Sequence, residues 1–591
     1  MINDLLAEGV IAGIAKLYGE SVSPSVVQIQ DTKKEFEGDV TVVVFQLLKV
    51  SKKSPADTAE ELGQHLLDNC DPVESFNVVK GFLNLVITNS FWLEAMAAYI
   101  EDVDFGIHTT RTGKKYMVEY ASPNTNKPLH LGHLRNIFLG DAVANILDAN
   151  GHTVLRTQII NDRGIHICKS MLAWLRYGEG ETPSSSGMKG DKLVGKYYVE
   201  FDKVYKQEIA SLIEGGTNED EAKRRAPILL EAQEMLKKWE AKDPETYGLW
   251  EKMNGWVYDG FSRSYETMGV SFDKLYYESD TYLLGKNVVE NGLVKGDYYQ
   301  KEDRSVWVDL SDRKLDDKLL LRADGTSVYM TQDIGTAIQR HNDYSGLSGL
   351  IYTVGNEQEH HFKVLFAILE KLGYDWAQEC SHLSYGMVDL PTGKMKSREG
   401  TVVDADDLMC SVTEDAREMT QERGHLDQLS EEEKEQLYHI IGLGGLKYYL
   451  LRVDPKKGMM FDPKESIDLN GNTGPFVQYA FARIQSLLNK AGALTPIVST
   501  SSIARSEKKL IIELLKFPEV VNEAGRQLNP SILVNFTYDL VKQFNSFYQT
   551  VNILKEQNQE LKNVRLQLST FTAIVIKNSM RLLGIQVPDQ M

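Results

Sequence analysis

The stretch from Tyr116 to Asp162 limits the fold of this chain more than any other. "YMVEYAS" (116–122) is rich in β-type residues and stops at the turn pair Pro123-Asn124. Past Pro128 the pattern becomes helical through "HLGHLRNIFLGDAVANILDANG", with a helix stop at Asn150-Gly151. "TVLRTQIIND" (153–162) then reads as a second strand. Strand, helix and strand within about 45 residues make a βαβ unit. That unit predicts an α/β fold on a doubly wound parallel sheet, with a ligand expected at the carboxyl ends of its strands.

One such sheet does not account for 591 residues; at ~150 residues per domain the chain suits three to four. Residues 1–105 alternate short helical and strand patterns, among them "GDVTVVVF" (38–45) and "GFLNLVI" (81–87), and read as a small α+β domain. The polar connector "HTTRTGKK" (108–115) leads into the α/β domain, expected over 106–425. From about 175 to 265 a loop, "TPSSSGMKGD", and long charged helices interrupt it as an insertion between two halves of the sheet. Strand patterns return at "SGLIYTVGN" (348–356) and "SHLSYGMVDL" (381–390). Residues 426–591 read as all-helical, with a separate bundle from about 470.

The formal charge of −19 argues against a protein coated in nucleic acid, yet leaves room for a local basic face. Residues 500–591 reverse the sign, with 11 Lys and Arg against 8 Asp and Glu, a bias that a solvated helical face also produces. No apolar run approaches the ~20 residues that span a bilayer, so no membrane partner is expected. Cys70, Cys168, Cys380 and Cys410 lie far apart with no CxxC pair, which suggests neither a zinc site nor a disulfide framework and fits a reducing cytoplasm. "MINDLLAEGVIAGIAKLYGE" reads as an amphipathic helix and not a signal peptide.

His130-Leu131-Gly132-His133 stands where the helix of the βαβ unit begins. A helix N-terminus offers free N–H groups to anions, and Gly132 leaves room for a nucleotide against the backbone. His130 and His133, about one turn apart, can donate to phosphate oxygens as charge builds on them. Zinc would want a third ligand, and no HExxH pattern is present. Two histidines that merely start a helix remain the alternative on this stretch alone.

Further residues point one way. The segment Pro123, Asn124, Thr125, Asn126, Lys127, Pro128, Leu129, His130, Leu131, Gly132, His133 resembles the HIGH signature of class I aminoacyl-tRNA synthetases, and "YGMVDLPTGKMKSREGTVVDADDL" (385–408) resembles their KMSKS loop. Around both, "VEYASPNTNKPLHLGHLRN", "QIINDRG", "KGDKLVGKYYVEF", "YMTQDIGTA", "VGNEQEHHF", "GPFVQYAFARI" and the close "LLGIQVPDQM" are similar to arginyl-tRNA synthetases over nearly the whole chain.

The resemblance implies a Rossmann-type catalytic domain, an N-terminal domain touching the outer corner of tRNA, and an anticodon-binding bundle. It implies ATP-dependent activation of L-arginine and its transfer to tRNA(Arg), with Mg²⁺ carried on ATP. A monomer is expected. Glu119, Ser122, Asn124, Tyr329, Asp333 and Gln358 would bind arginine, with Glu357 or Glu359 as substitutes for Gln358 in a shifted register. A planar, permanently charged guanidinium needs such carboxylates and amide oxygens, and Tyr329 and Asp333 share a face if helical. His130, Gly132, His133, Met395, Lys396 and Ser397 would bind ATP, and Lys127, His130, His133 and Lys394 would be catalytic.

The second signature departs from its pattern. Ser397 stands where KMSKS has its second lysine; against the MSTRKG-like variant, Lys396 replaces the serine and Glu399 a lysine. By resemblance, Lys127 supplies the missing cation. Another class I synthetase is the nearest rival, but an acidic substrate would want Arg or Lys in place of Glu119 and Asp333. A non-enzymatic tRNA-binding relative would be expected to have lost His130, Gly132 or His133. Of the C-terminal aromatics, Tyr479, Phe544, Phe547 and Tyr548 either stack on unpaired bases or, at their helical spacing, form core.

Overall fold

The computed structural model describes residues 2–33, 35–391, 403–422, 428–492 and 503–591. Lys394, Met395, Lys396 and Ser397 lie outside the described residues. The chain divides into two compact units that interleave in sequence: 1–105 with 487–516 and 542–574, and 106–486 with 517–541 and 575–591.

In the first unit an antiparallel sheet of β1 (Gln28–Asp31), β2 (Val40–Val43), β3 (Val73–Val79) and β4 (Phe82–Ile87) has the order β1-β2-β4-β3. The β-run expected over 38–45 is shorter than its pattern, because Val44–Leu47 tightens into a 3-10 turn. Two ion-pair groups tie later helices to this unit. Lys508 Nζ donates to the Ile87 carbonyl and meets Asp39, each at 2.6 Å. Arg565 reaches the fully buried Glu507 and the partly exposed Glu556, each at 2.6 Å. Phe544 and Phe547 are buried here, and Tyr548 stacks on Phe544. Their helical spacing therefore reports core, and Phe544 and Phe547 are closed to nucleic-acid bases.

The second unit is built on five parallel strands: β5 (Lys115–Glu119), β6 (Thr153–Ile160), β7 (Lys274–Tyr277), β11 (Gly349–Gly355) and β12 (Cys380–Tyr385), in the order β12-β11-β5-β6-β7. Numbered along the chain within the sheet, this is the doubly wound 3-2-1-4-5 order. Its direction of winding reverses between β5 and β11, the place where such sheets open a ligand crevice.

The helix Leu131–Ala149 follows β5 and is buried nearly all round. A Cβ on Gly140 would fall 2.3 Å from Tyr120, so glycine there lets the helix lie directly on the strand end. The charged segment read as an insertion is helical, with Gly190–Glu214, Pro227–Glu240 and Pro244–Met268 as its long members.

A small antiparallel sheet of β8 (Tyr299–Gln300), β9 (Val306–Val308) and β10 (Lys318–Leu321) has no counterpart among the expected strands. Strands of two to four residues are too short to show a period. Two further strands, β13 (Val388–Asp389) and β14 (Met459–Met460), pair in parallel. The closing segment packs within this unit: Lys447 Nζ donates to the Gly584 carbonyl at 2.6 Å, and Gln478 Nε2 to that of Gln586 at 2.8 Å.

Candidate functional site

His130 is the N-cap of the helix Leu131–Ala149. Its Nδ1 accepts the Gly132 N–H at 3.1 Å, and His133 Nδ1 accepts the His130 N–H, also at 3.1 Å. A backbone N–H can only donate, so each Nδ1 is a lone pair, and in the neutral ring the proton sits on Nε2. Burial pushes His130 down to about 4, and the charge of Lys127 adds to the effect. His133 is lowered well below its ordinary value by burial, by His130 and by Lys127. Both imidazoles are therefore neutral near pH 7, each with one Nε2–H donor to offer. The rings lie 3.8 Å apart, and a Cβ on Gly132 would sit 3.0 Å from Cε1 of His130. Glycine at 132 thus has a second reason beyond room for a ligand: it clears the capping ring.

The turn before the helix is strained. Ala121 and Ser122 have φ of 71° and 41°, in the left-handed region at consecutive non-glycine residues. Asn136 holds this turn, its Oδ1 accepting the Ala121 N–H at 2.6 Å while its Nδ2 donates to the Thr353 carbonyl at 2.7 Å and to Tyr385 at 3.1 Å. One buried amide thereby joins the ends of β5, β11 and β12.

The next residue back, Arg135, is 1% exposed and donates to four carbonyls: Gly386 at 2.7 Å, Lys457 at 2.8 Å, Met387 at 3.3 Å and Pro455 at 3.4 Å. These fix the segment that precedes the second signature. The segment that follows it pairs with the first signature itself, Leu131 N–H to Val403 O at 3.2 Å and Ala405 N–H to Leu129 O at 2.9 Å. Asp404 caps the helix Ala405–Gln421 and also meets Lys192 at 3.1 Å, while Lys189 pairs with Asp406. Lysines of the "KGDKLVGKYYVEF" segment thus clamp the residues just after that signature.

The first signature runs past two cavities. Asn124, Thr125 and Asn126 help to line one of about 960 Å³, as do Tyr329 and Asp333. Lys127, Pro128, Leu129 and His130 help to line a smaller one of about 200 Å³. Tyr329 and Asp333 do lie on one helix, Tyr329–Asp343. Tyr329 is 79% exposed, and Asp333 accepts from His361 Nε2 at 2.6 Å.

The other residues assigned to arginine binding sit elsewhere. Gln358 is exposed at the end of the 3-10 turn Asn356–Gln358 and does not line the large cavity. Its neighbour Glu359 accepts from Ser384 at 2.8 Å. Glu119 is buried and ion-paired with Arg340, and Ser122 donates to its Oε1 at 3.3 Å.

In the cavity wall the structure adds Glu278, whose carboxyl is raised by burial and lies 4.0 Å from Arg163. No local pattern marks Glu278. Arg135 did leave a signal, as a charged residue within an apolar helical run.

The family model described as tRNA synthetases class I (R), catalytic domain, matches residues 96–462. Models of an arginyl-tRNA synthetase N-terminal domain and a DALR anticodon binding domain match 4–87 and 477–591. The chain is 56% identical to the arginine–tRNA ligase of Bacteroides thetaiotaomicron and 54% identical to that of Flavobacterium psychrophilum, with all of each chain covered. Thermus thermophilus arginyl-tRNA synthetase has the same fold, with a TM-score of 0.80 at 26% identity and full coverage of both chains. The chain belongs to the arginyl-tRNA synthetase family.

Proposed function

We infer that this protein is an arginine–tRNA ligase that activates L-arginine with ATP and passes it to the terminal adenosine of tRNA(Arg), and that the two cavities along the first signature divide the work. The observation that carries the division is the path of residues 124–130, polar amides along the large cavity and then Lys127 and His130 along the small one. The large cavity would take arginine. Asp333, Glu278 and Tyr329 suit a guanidinium, and Asn124 offers an amide; Glu119 and Ser122 would act from behind the turn, and Gln358 would have to move to take part.

The arginine carboxylate attacks the α-phosphate in line, and pyrophosphate leaves. Nε2–H of His130 and of His133 would donate to phosphate oxygens, with Lys127 as a fixed cation and Lys394 and Lys396 as further ones. Gly132, Met395 and Ser397 would complete the nucleotide site. Neutral imidazoles are apt here because they donate without titrating near pH 7. Imidazole and ammonium donors do not suit Mg²⁺, so the metal would be held by the phosphate oxygens of ATP and would neutralise charge there.

The DALR region would bind the anticodon arm and the N-terminal domain the outer corner of the tRNA. Tyr479, half-buried with Arg483 over its ring, remains a candidate for base stacking. We place the enzyme in the cytoplasm as a monomer; its four free cysteines are consistent with a reducing compartment. Pyrophosphate exchange with arginine, glutamate, glutamine and cysteine in turn, with and without tRNA, tests the reading. Exchange with arginine alone is expected, and exchange with another amino acid in its place would overturn it.

A further inference from the structure

Arg340 is among the largest fully buried side chains of the second unit and belongs to neither signature. It lies on the helix Tyr329–Asp343. Positions 329, 333 and 340 are four and then seven residues apart, so they share one face of that helix. The first two reach the large cavity, while Arg340 points to the end of β5 and pairs with Glu119.

Two tyrosines frame the guanidinium, Tyr276 of β7 at 5.1 Å and Tyr352 of β11 at 5.5 Å. Tyr276 is itself held by Asp343 on the same helix, its hydroxyl donating at 2.9 Å. Glu119 is the last residue of β5 and uses its two oxygens differently: Oε2 meets Arg340, and Oε1 accepts from Ser122. Ser122 is one of the two left-handed residues that turn the chain toward Asn124.

The substrate-binding helix and the strained turn are thus joined through one buried carboxylate. We propose that Arg340 is a positioning residue for the arginine site: it holds the Glu119 carboxylate in place toward Ser122, and so fixes residues 121–124 against the face that carries Tyr329 and Asp333. The proposal rests on the reading of the large cavity as the arginine site. A guanidinium suits the task better than an ammonium, because it lies between the rings of Tyr276 and Tyr352.

The test is a mutant cycle in arginine-dependent pyrophosphate exchange on the full-length enzyme with tRNA present, using Arg340→Gln, Glu119→Gln and the double variant. Arg340→Gln is expected to raise the KM for arginine about 10- to 100-fold, as losing one partner of a buried charge pair does, and to leave the KM for ATP within about twofold. Because Arg340 acts through Glu119, the double variant should be no worse than Glu119→Gln alone. Arg340→Lys, which keeps the charge and loses the fork, should fall between wild type and Arg340→Gln; if Arg340→Gln fails to fold, Arg340→Lys carries the test against ATP.

An arginine KM raised by Glu119→Gln but not by either Arg340 variant would overturn the proposal. So would equal damage to both KM values, or additive losses in the double variant. If Asp333→Asn leaves the arginine KM unchanged, the reading of the cavity itself has failed, which is a separate result from failure of the Arg340–Glu119 cycle.

Discussion

Gly132→Ala is a one-methyl test of the first signature. The new Cβ would lie 3.0 Å from Cε1 and 3.1 Å from Nδ1 of His130. Ordinary carbon contacts are about 3.5–4.0 Å, so the ring must retreat by roughly half an ångström to an ångström. It has little freedom to do so, since its centroid lies 3.8 Å from that of the tilted His133 ring and its Nδ1 holds the Gly132 N–H. Losing the cap costs about 0.5–2 kcal/mol and overpacking about 1–3 kcal/mol. Alanine recovers up to about 1 kcal/mol through its better helix propensity.

The net destabilisation is therefore about 0.5–5 kcal/mol, a fall in Tm of up to several degrees. The effect on chemistry should be larger, because a phosphate donor displaced by about 1 Å costs on the order of 100-fold in rate. Pyrophosphate exchange at saturating arginine and ATP, read beside a thermal melt, separates the two effects. A variant that melts lower but exchanges at the wild-type rate would refute the view that the ring's position matters to the reaction.

Four further outcomes are expected. Asp333→Ala should raise the arginine KM far more than the ATP KM, by the equivalent of about 2–5 kcal/mol, and an unchanged arginine KM would remove Asp333 from the pocket. Lys127→Ala should slow adenylate formation ~10²–10³-fold with arginine affinity nearly intact, as single-turnover assays can show; full activity would pass its role to Lys394 or Lys396. Arg135→Met should cost at least about 3 kcal/mol in urea unfolding, since it leaves buried carbonyls without a donor, and a loss below 1 kcal/mol would refute that account. His130, at about 4 in the fold against its ordinary value near 6.5, contributes stability that is complete above pH 6.5 and is lost as pH falls toward 4, about 3 kcal/mol in all. Its Cε1 proton resonance should not titrate between pH 8 and 5.5, and a midpoint near 6.5 would contradict the buried, capped ring.

Local chemistry made part of this legible before the structure. The strand–helix–strand of 116–162, the helix start at His130 and the helical spacing of Phe544, Phe547 and Tyr548 all express short-range rules. What stayed hidden depends on partners distant in sequence. Nothing around Glu119 announces Arg340, and nothing around Ala121 and Ser122, neither glycine nor asparagine, announces a left-handed backbone held by Asn136. The short strands β8–β10 were lost for want of length. The helices after 470 show the same limit: their sequence reads as one bundle, but 487–516 and 542–574 group with the N-terminal residues. A truncation at 470 would accordingly remove parts of both compact units, and loss of charging in that variant would not by itself locate the anticodon site.

Arg135 and Asn136 are adjacent on the helix that His130 begins, yet they hold different parts of the site. Asn136 fixes the strained turn at the end of β5, and Arg135 fixes the backbone at Gly386 and Met387 ahead of the second signature. The residues after that signature return to the same helix start, at Leu129 and Leu131. Transition-state stabilisation of this kind depends on donors that need not reorganise as charge develops. A single rigid reference for both signatures supplies that condition: an error in helix placement moves the imidazoles and both flanks of the second signature together, preserving their mutual geometry. A substitution at Arg135 would disturb only one flank, and should therefore cost more in adenylate formation than its effect on stability alone would explain.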